Sequence, residues 1–273
     1  MFGAAIILFR ETLEAALLIG IIAASTRGVA GRGRCIAGGI LAGLIGAGVV
    51  AAMTGRIGEL FDGVGQEIFS AAILSIAVVL LGWHNIWMSA HGAQLASEAR
   101  RVGNDVRDGR RELSAILIVI ALAVLREGSE SVLFLYGLIS GGEADSAAAV
   151  AGGALGLLGG GALGLFLYAG MVRIPLRWFF SITSTLILLL AANMASQAAR
   201  FLIQGDVLPG LRTPLWDTSS ILSDASPLGA FLHALAGYEA TPAGMQVVFY
   251  AATLLVILAG MHWVRRLHST STR

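Results

Sequence analysis

The same charge pattern occurs twice in this chain, each time within a long apolar run. The two copies are Arg10-Glu11-Thr12-Leu13-Glu14 and, 116 residues later, Arg126-Glu127-Gly128-Ser129-Glu130. A charged side chain at bilayer depth costs free energy and is seldom kept there without a function. The six charged residues of the two copies therefore define a candidate functional site.

In a helix, each copy places its charges on one face. Successive residues are about 100° apart around the helix axis, so Glu11 and Glu14 both lie within about 100° of Arg10. Two such helices facing each other would bring four carboxylates and two guanidiniums together, with a formal charge of minus two. Crowded anionic oxygens repel one another, and a multivalent cation would remove that repulsion. We therefore predict a metal-ion site with the ligands Glu11, Glu14, Glu127 and Glu130.

The kinds of ligand narrow the choice of ion. Carboxylate oxygens are hard ligands, and the hydroxyls of Thr12 and Ser129 are predicted to support them, whereas neither copy contains a thiol. Copper(I) is therefore disfavoured, and iron, manganese and magnesium remain. Charge counting leaves the oxidation state open, because a divalent ion would neutralise the cluster whereas a ferric ion would leave an excess positive charge.

A simpler explanation is that each arginine only neutralises the glutamate four residues later, as buried ion pairs do. We accept this pairing in both copies, at Arg10 and at Arg126. It leaves the carboxylates of Glu11 and Glu127 unpaired at matched depth, and this surplus favours the metal site. The two arginines are then predicted to hold the ligands in place.

Composition identifies the class of protein. Hydrophobic residues make up 56% of the chain, charged residues only 13%, and the mean hydropathy is +0.81. These values are typical of an all-α integral membrane protein. Apolar stretches of spanning length predict seven transmembrane helices, at about residues 1–24, 36–54, 67–90, 113–140, 147–172, 178–203 and 243–264.

The connectors between these helices alternate in charge, and this alternation predicts the topology. One set carries thirteen arginines, namely Arg27, Arg32, Arg34, Arg100, Arg101, Arg107, Arg110, Arg111, Arg173, Arg177, Arg265, Arg266 and Arg273. The other set carries Arg56 and Arg212 together with nine carboxylates, namely Glu59, Asp62, Glu67, Glu143, Asp145, Asp206, Asp217, Asp224 and Glu239. The positive-inside rule places the first set in the cytoplasm, so the N-terminus lies outside and the C-terminus inside.

This topology makes the two motif helices antiparallel, as in an inverted repeat of three plus three helices whose sites meet near the midplane. We predict one transmembrane domain over residues 1–273, with repeats at about 1–91 and 113–203, an outer loop at 204–242 and a seventh helix at 243–264. Small residues at four-residue spacing in helices 2 and 5 predict close helix packing. They are Gly39, Gly43, Ala47, Gly152, Gly156, Gly160 and Gly164.

Three further polar residues are candidates for the route of an ion. Glu67, at the outer end of helix 3, is a candidate for the entrance, and His84, further along the same helix, is a candidate for the exit. The outer loop holds four of the five prolines and several carboxylates, among them Asp224. Such an acidic mouth would raise the local concentration of cations by electrostatic focusing.

The two Arg-Glu-x-x-Glu sequences, in the first and fourth of seven helices, resemble those of the oxidase-dependent iron permeases of fungi and their bacterial relatives, the EfeU-type iron permeases. In that family the motif usually reads Arg-Glu-Gly-Leu-Glu, so Thr12 stands here in place of Gly and Ser129 in place of Leu. The fungal element Asp-Ala-Ser-Glu is matched from Asp224 onward but ends here in Pro227. The resemblance extends to the basic loop after helix 3 and the long outer loop.

The resemblance implies a function. In this family the paired motifs are taken as the passage for iron, which is imported with the help of an extracytoplasmic iron-binding or iron-oxidising partner protein. We therefore predict a bacterial inner-membrane iron permease and not an enzyme, with iron as its transported substrate and no tightly bound organic cofactor. Membrane lipid and the iron ion are its other expected partners, and no nucleic-acid partner is expected.

Three alternatives remain open from the residues alone. Hard oxygen ligands discriminate weakly between cations, so a permease for manganese or lead would use a similar site. His84 and His91, seven residues apart on one helix, would suit a membrane redox subunit that binds haem, although no second histidine pair lies within the spans. A carboxylate-bridged metal enzyme usually combines Glu with Glu-x-x-His, and neither motif contains histidine.

Overall fold

The computed structural model describes residues 1–59, 66–140, 145–170 and 176–270. Within these ranges its regular elements are eight α-helices, seven of them long. They are α1 (Phe2–Ser25), α2 (Arg32–Glu59), α3 (Gln66–Arg107), α4 (Ser114–Ser140), α5 (Ser146–Tyr168), α6 (Leu176–Gln204), α7 (Pro227–Ala236) and α8 (Gly244–Thr270). Part of the predicted charge pattern lies outside the described residues, namely Asp62, Glu143, Arg173 and Arg273, together with the side chains of Arg56, Glu59, Arg177 and Arg265. The end of the predicted fifth span, 171–172, lies outside them as well.

Five helices are long and apolar enough to cross a membrane, judged over the described part of the chain. These spans are Arg32–Thr54, Glu67–Met88, Ser146–Tyr168, Ser181–Gln204 and Gly244–Val264. They correspond to five of the seven predicted spans. α1 and α4 have comparable lengths of 24 and 27 residues, but each carries three charges of the repeated pattern. The protein is therefore a multispanning helical membrane protein whose two motif helices are unusually polar.

The small-residue stripes lie where two helices touch backbone to backbone. A Cβ atom added to Gly156 of α5 would collide with the carbonyl oxygen of Ala5, and one added to Gly160 would lie 2.5 Å from the carbonyl oxygen of Phe9. The other motif helix, α4, makes the same kind of contact. A Cβ atom added to Gly39 of α2 would lie 2.7 Å from the carbonyl oxygen of Leu117 in α4. α5 thus lies directly on α1, and α2 lies directly on α4. The predicted packing role of these glycines is confirmed.

The third helix is longer than the sequence suggested. We predicted an end near residue 90 followed by a basic loop, and this boundary was wrong, because α3 continues to Arg107 and has 42 residues. Its length is about 63 Å at 1.5 Å per residue. Beyond residue 90 the helix keeps an apolar stripe that includes Ala99 and Val106. This stripe is buried against Ile22 of α1 and Ile116 of α4, and the burial stabilises the additional turns. The arginines of this segment occupy its exposed side.

The predicted outer loop is folded and contains α7. The ring of Phe231 in α7 packs edge-on against Phe2, with ring centroids 5.3 Å apart. Asn193 of α6 donates a hydrogen bond to the carbonyl oxygen of His233 at 3.2 Å. The connector 205–243 therefore covers one end of α1 and α6, and we call this the loop end of the bundle. The opposite end, at Ser25, we call the arginine end.

We expect Gly156→Ala to lower the free energy of unfolding in detergent by about 1–3 kcal/mol, because the added methyl group meets a backbone oxygen that has no room to move. Gly161→Ala in the same helix is the matched control, because its nearest neighbour would lie at an ordinary contact distance of 4.0 Å. Thermal unfolding midpoints of the two purified variants measure the difference. Equal midpoints would contradict the backbone contact between α1 and α5.

Candidate functional site

Three helices supply the charged side chains of one buried cluster. α1 contributes Arg10, Glu11 and Glu14, and all three are buried although they lie in the middle of an apolar helix. α4 contributes the second copy of the motif, and α3 contributes His84, whose side chain is 3% exposed. The glycine contacts described above set this arrangement, because they hold each motif helix on its small-residue partner with one face free to meet the cluster.

Each arginine pairs with the glutamate four residues later, as predicted. Arg10 Nε lies 2.8 Å from Glu14 Oε1, and Arg126 Nε lies 3.1 Å from Glu130 Oε1. Arg126 Nε is also 3.9 Å from Glu127 Oε1. The charges within each copy are therefore partly balanced before any ion is considered.

His84 joins the two copies of the motif. Its Nδ1 atom is in direct contact with Glu130 of α4. On the other side of the ring, Nε2 lies 3.7 Å from Glu14 Oε2 and 3.9 Å from Glu11 Oε2, both on α1. We predicted a place for His84 on an exit path and noted that neither motif contains histidine. In the fold, this imidazole lies among the carboxylates themselves.

Four residues form a set that could hold a metal ion. One ligand atom each from Glu11, His84, Glu127 and Glu130 lie within 4.8 Å of one another. Within the described structure, both carboxylate oxygens of Glu11 and one oxygen of Glu127 are buried without a hydrogen-bond partner. Buried acceptors without donors are costly, and a cation between them would satisfy several at once. The geometry is that of a compact cation site.

The cluster is enclosed on the α1 side and open on the α4 side. The side chain of Arg10 is 1% exposed, whereas that of Arg126 is 36% exposed. The guanidinium carbon of Arg126 lies 4.7 Å from the ring centroid of Trp87, and this ring stacks on His91 with centroids 4.8 Å apart. His91 therefore has surroundings different from those of His84. Seven residues along a helix also separate the two rings by about 10 Å, which is too far for both to bind one haem iron.

The other predicted site residues lie away from the cluster or have a different environment. Thr12 packs against Gly160 and Gly161 of α5, because its position, about 200° around the helix from Arg10, points away from the acidic face. Thr12 therefore makes a packing contact with α5 and does not face the predicted ligands. Ser129 is half-buried on α4, and Glu67 is exposed in the first turn of α3. Seventeen residues of helix place Glu67 about 25 Å from the level of His84.

Two carboxylates of the connector 205–243 accept hydrogen bonds, one from the connector itself and one from α8. Asp224 accepts a hydrogen bond from the backbone N–H of Ala240 through both oxygens, at 2.9 and 3.2 Å. Glu239 Oε2 accepts one from Gln246 Nε2 at 2.7 Å. Burial raises the pKa of the Glu239 carboxyl, and the positive charge of Arg200 acts in the opposite direction. Asp224 thus holds the connector together, and its predicted place at an entrance stays a prediction.

The family model and the similar proteins all indicate one family, as follows. The family model described as the iron permease FTR1 family matches residues 1–268. The protein of Shigella sonnei named ferrous iron permease EfeU is 31% identical over 278 residues, which cover 100% of this chain and 99% of that protein. A protein of the same name from Yersinia pestis is 31% identical over 264 residues, covering 94% and 92% of the two chains. No solved structure matches this chain.

The unequal exposure of the two arginines predicts unequal costs of removing them. We expect Arg10→Gln to lower the free energy of unfolding by roughly 3–5 kcal/mol, because it leaves Glu14 buried without its cation. Arg126→Gln is expected to cost less than half as much, because the side chains of this pair are partly exposed. Chemical unfolding of both variants in detergent measures the difference, and equal losses would contradict the asymmetric burial.

Proposed function

Because this chain belongs to the FTR1 family of iron permeases, we propose that it carries ferrous iron into the cell across the bacterial inner membrane. The relatives that cover its whole length are named ferrous iron permeases. The route runs between α1 and α4, through Glu11, Glu14, Glu127 and Glu130. Iron is the transported substrate, and the protein is a permease and not an enzyme.

The observation that supports this route best is the buried surplus of carboxylates. Four glutamates from two helices meet around two arginines, and Glu11 has no arginine of its own within ion-pair distance among the described residues. With a neutral imidazole the cluster has a formal charge of minus two. A divalent ion neutralises this charge and a ferric ion leaves one positive charge, so the assignment of Fe²⁺ rests on the names of the relatives and not on the charge count.

The residues have distinct tasks in this mechanism. An arriving ion loses water molecules, and the oxygens of Glu11 and Glu127 replace them. These two carboxylates are available because neither forms as close an ion pair with an arginine as Glu14 and Glu130 do. Arg10 and Arg126 hold Glu14 and Glu130 by ion pairs and reduce the net negative charge. A site of four free carboxylates would bind a cation tightly and release it slowly, so the arginines keep the ion transferable.

The rival substrates are other divalent cations, above all manganese and lead. Carboxylate oxygens alone distinguish them weakly. The test is a transport assay in proteoliposomes in which each of these metals competes with Fe²⁺ or Fe³⁺ for uptake. We expect Fe²⁺ to be transported in preference to each of the other ions.

The architecture that we propose is an inverted repeat of α1–α3 and α4–α6, with α8 as the seventh spanning helix. It is supported by the equivalent packing of α1 on α5 and of α4 on α2, since exchanging the two halves converts one contact into the other. The N-terminus lies outside and the arginine end faces the cytoplasm, in accordance with the positive-inside rule. An extracytoplasmic iron-binding protein delivers ferrous iron at the loop end, whereas an iron-oxidising partner would accompany transport of ferric iron.

Replacing Glu11 or Glu127 singly is expected to reduce transport strongly. We expect Glu11→Gln and Glu127→Gln each to reduce uptake of ⁵⁵Fe by whole cells at least about tenfold, because each removes a charge and a ligand oxygen from the site. Glu98→Gln is the matched control, because Glu98 is exposed on α3 and only accepts a hydrogen bond from Gln94. Uptake at the wild-type rate in both cluster variants, at equal protein levels, would refute the proposed route.

The orientation has its own test. Green fluorescent protein fused after Arg273 should fluoresce, and alkaline phosphatase fused there should be inactive, because the C-terminus is predicted to be cytoplasmic. The same two reporters inserted in the connector 205–243 should give the opposite result. Active phosphatase at the C-terminus would reverse the proposed topology.

A further inference from the structure

We propose that His84 Nε2 is a direct ligand of the transported ion, so that the site combines imidazole nitrogen with the carboxylates of Glu11 and Glu127. This mixture of ligands favours iron over magnesium, calcium and manganese. The inference rests on the proposed function, because it concerns the ligands and the selectivity of the same site. It assigns Glu130 a different task, which is to orient the imidazole.

The contacts on the two sides of the imidazole differ in kind. Nδ1 is in direct contact with Oε2 of Glu130, and Arg126 Nε lies 3.1 Å from the other oxygen, Oε1. This contact sets the plane of the ring and turns Nε2 toward α1. A carboxylate in that place is the usual outer partner of a metal-binding histidine. Nε2 is buried on the side of α1 and has no hydrogen-bond partner among the described residues.

The distances on the Nε2 side suit two ligands of one ion better than a hydrogen bond. Nε2 lies 3.9 Å from Glu11 Oε2 and 3.7 Å from Glu14 Oε2, and both separations exceed the range of an N–H···O bond. Two ligands that are each about 2.1 Å from a shared ion lie about 3.0–3.4 Å apart. A contraction of about 0.5–0.9 Å therefore brings Nε2 and Glu11 Oε2 to the separation of two ligands on one cation.

The backbone of α3 is fixed next to this ring. Asn85 follows His84 directly, and its Nδ2 atom donates a hydrogen bond to the carbonyl oxygen of Ser184 in α6 at 3.0 Å. Leu81, one turn before, is fully buried in the core between α1, α3 and α6. The imidazole is thus presented to the site by a rigid helix, and no loop needs to close over the ion.

A nitrogen ligand changes which ions the site prefers. Imidazole suits iron and the later transition metals, whereas magnesium, calcium and manganese prefer sites made of oxygen. A site built from carboxylates alone would admit these competitors more readily. His84 therefore supplies selectivity, while the glutamates supply most of the charge.

The test compares His84→Asn with wild type in anaerobic titrations of purified protein in detergent. Asparagine keeps a donor near the position of Nδ1 for Glu130 and removes Nε2. We expect its affinity for Fe²⁺ to fall roughly tenfold or more and its affinity for Mn²⁺ to fall less than about threefold. With Mn²⁺ as a paramagnetic probe, electron spin-echo modulation should show one imidazole ¹⁴N in wild type and none in the variant.

His91→Gln is the matched control, because His91 lies on the same helix and stacks on Trp87 outside the cluster. It should leave the Fe²⁺ affinity and the ¹⁴N signal unchanged.

If the wild-type protein binds Mn²⁺ without a ¹⁴N signal, His84 is not a ligand, and this measurement does not depend on the folding of any variant. If Glu11→Gln abolishes iron uptake while His84→Asn keeps the affinities of wild type, this inference fails and the proposed function stands. If Glu11→Gln also transports normally, the proposed function fails with it.

Discussion

Buried anionic oxygens that outnumber the fixed cations around them are the constraint on which this protein depends. Electrostatic repulsion between carboxylates is weak in water and strong in a medium of low dielectric constant. Arg10 and Arg126 relieve part of it, because each forms an ion pair within its own helix. The remaining charge on Glu11 and Glu127 has no equivalent partner in its own copy of the motif, so the site is most stable when a cation from outside joins it.

Packing brings these charges together. α1 and α4 would each be poor membrane helices alone, because each carries three charged residues within its apolar sequence. Glycines on α5 and α2 let each motif helix approach a partner closely on its uncharged side. Its charged side then faces the interior, where α3 contributes His84 between the two motifs. The apolar contacts therefore contribute the free energy that offsets burial of the charges.

Much of this arrangement was predictable from the sequence, and the exceptions have physical reasons. The motif spacing predicted the ion pairs of Arg10 and Arg126, and the glycine spacing predicted the helix contacts. The place of His84 was missed because the sequence does not show which face of α3 meets the other helices. The length of α3 was underestimated because hydropathy falls where arginines appear, although Ala99 and Val106 keep a buried stripe. The predicted role of Thr12 as a supporting hydroxyl was wrong for a geometric reason, because Thr12 lies about 200° around α1 from Arg10 and therefore faces α5.

The glycine contacts also determine where this molecule is stiff and where it yields. Two helices in backbone contact have no layer of side chains between them that can repack, so α1 with α5, and α4 with α2, behave as two solid pairs. Between the pairs lie the charged cluster and the apolar side chains of two buried cores. The contact between the pairs is therefore made of side chains, and a shift of one pair against the other would repack these side chains without separating either backbone contact.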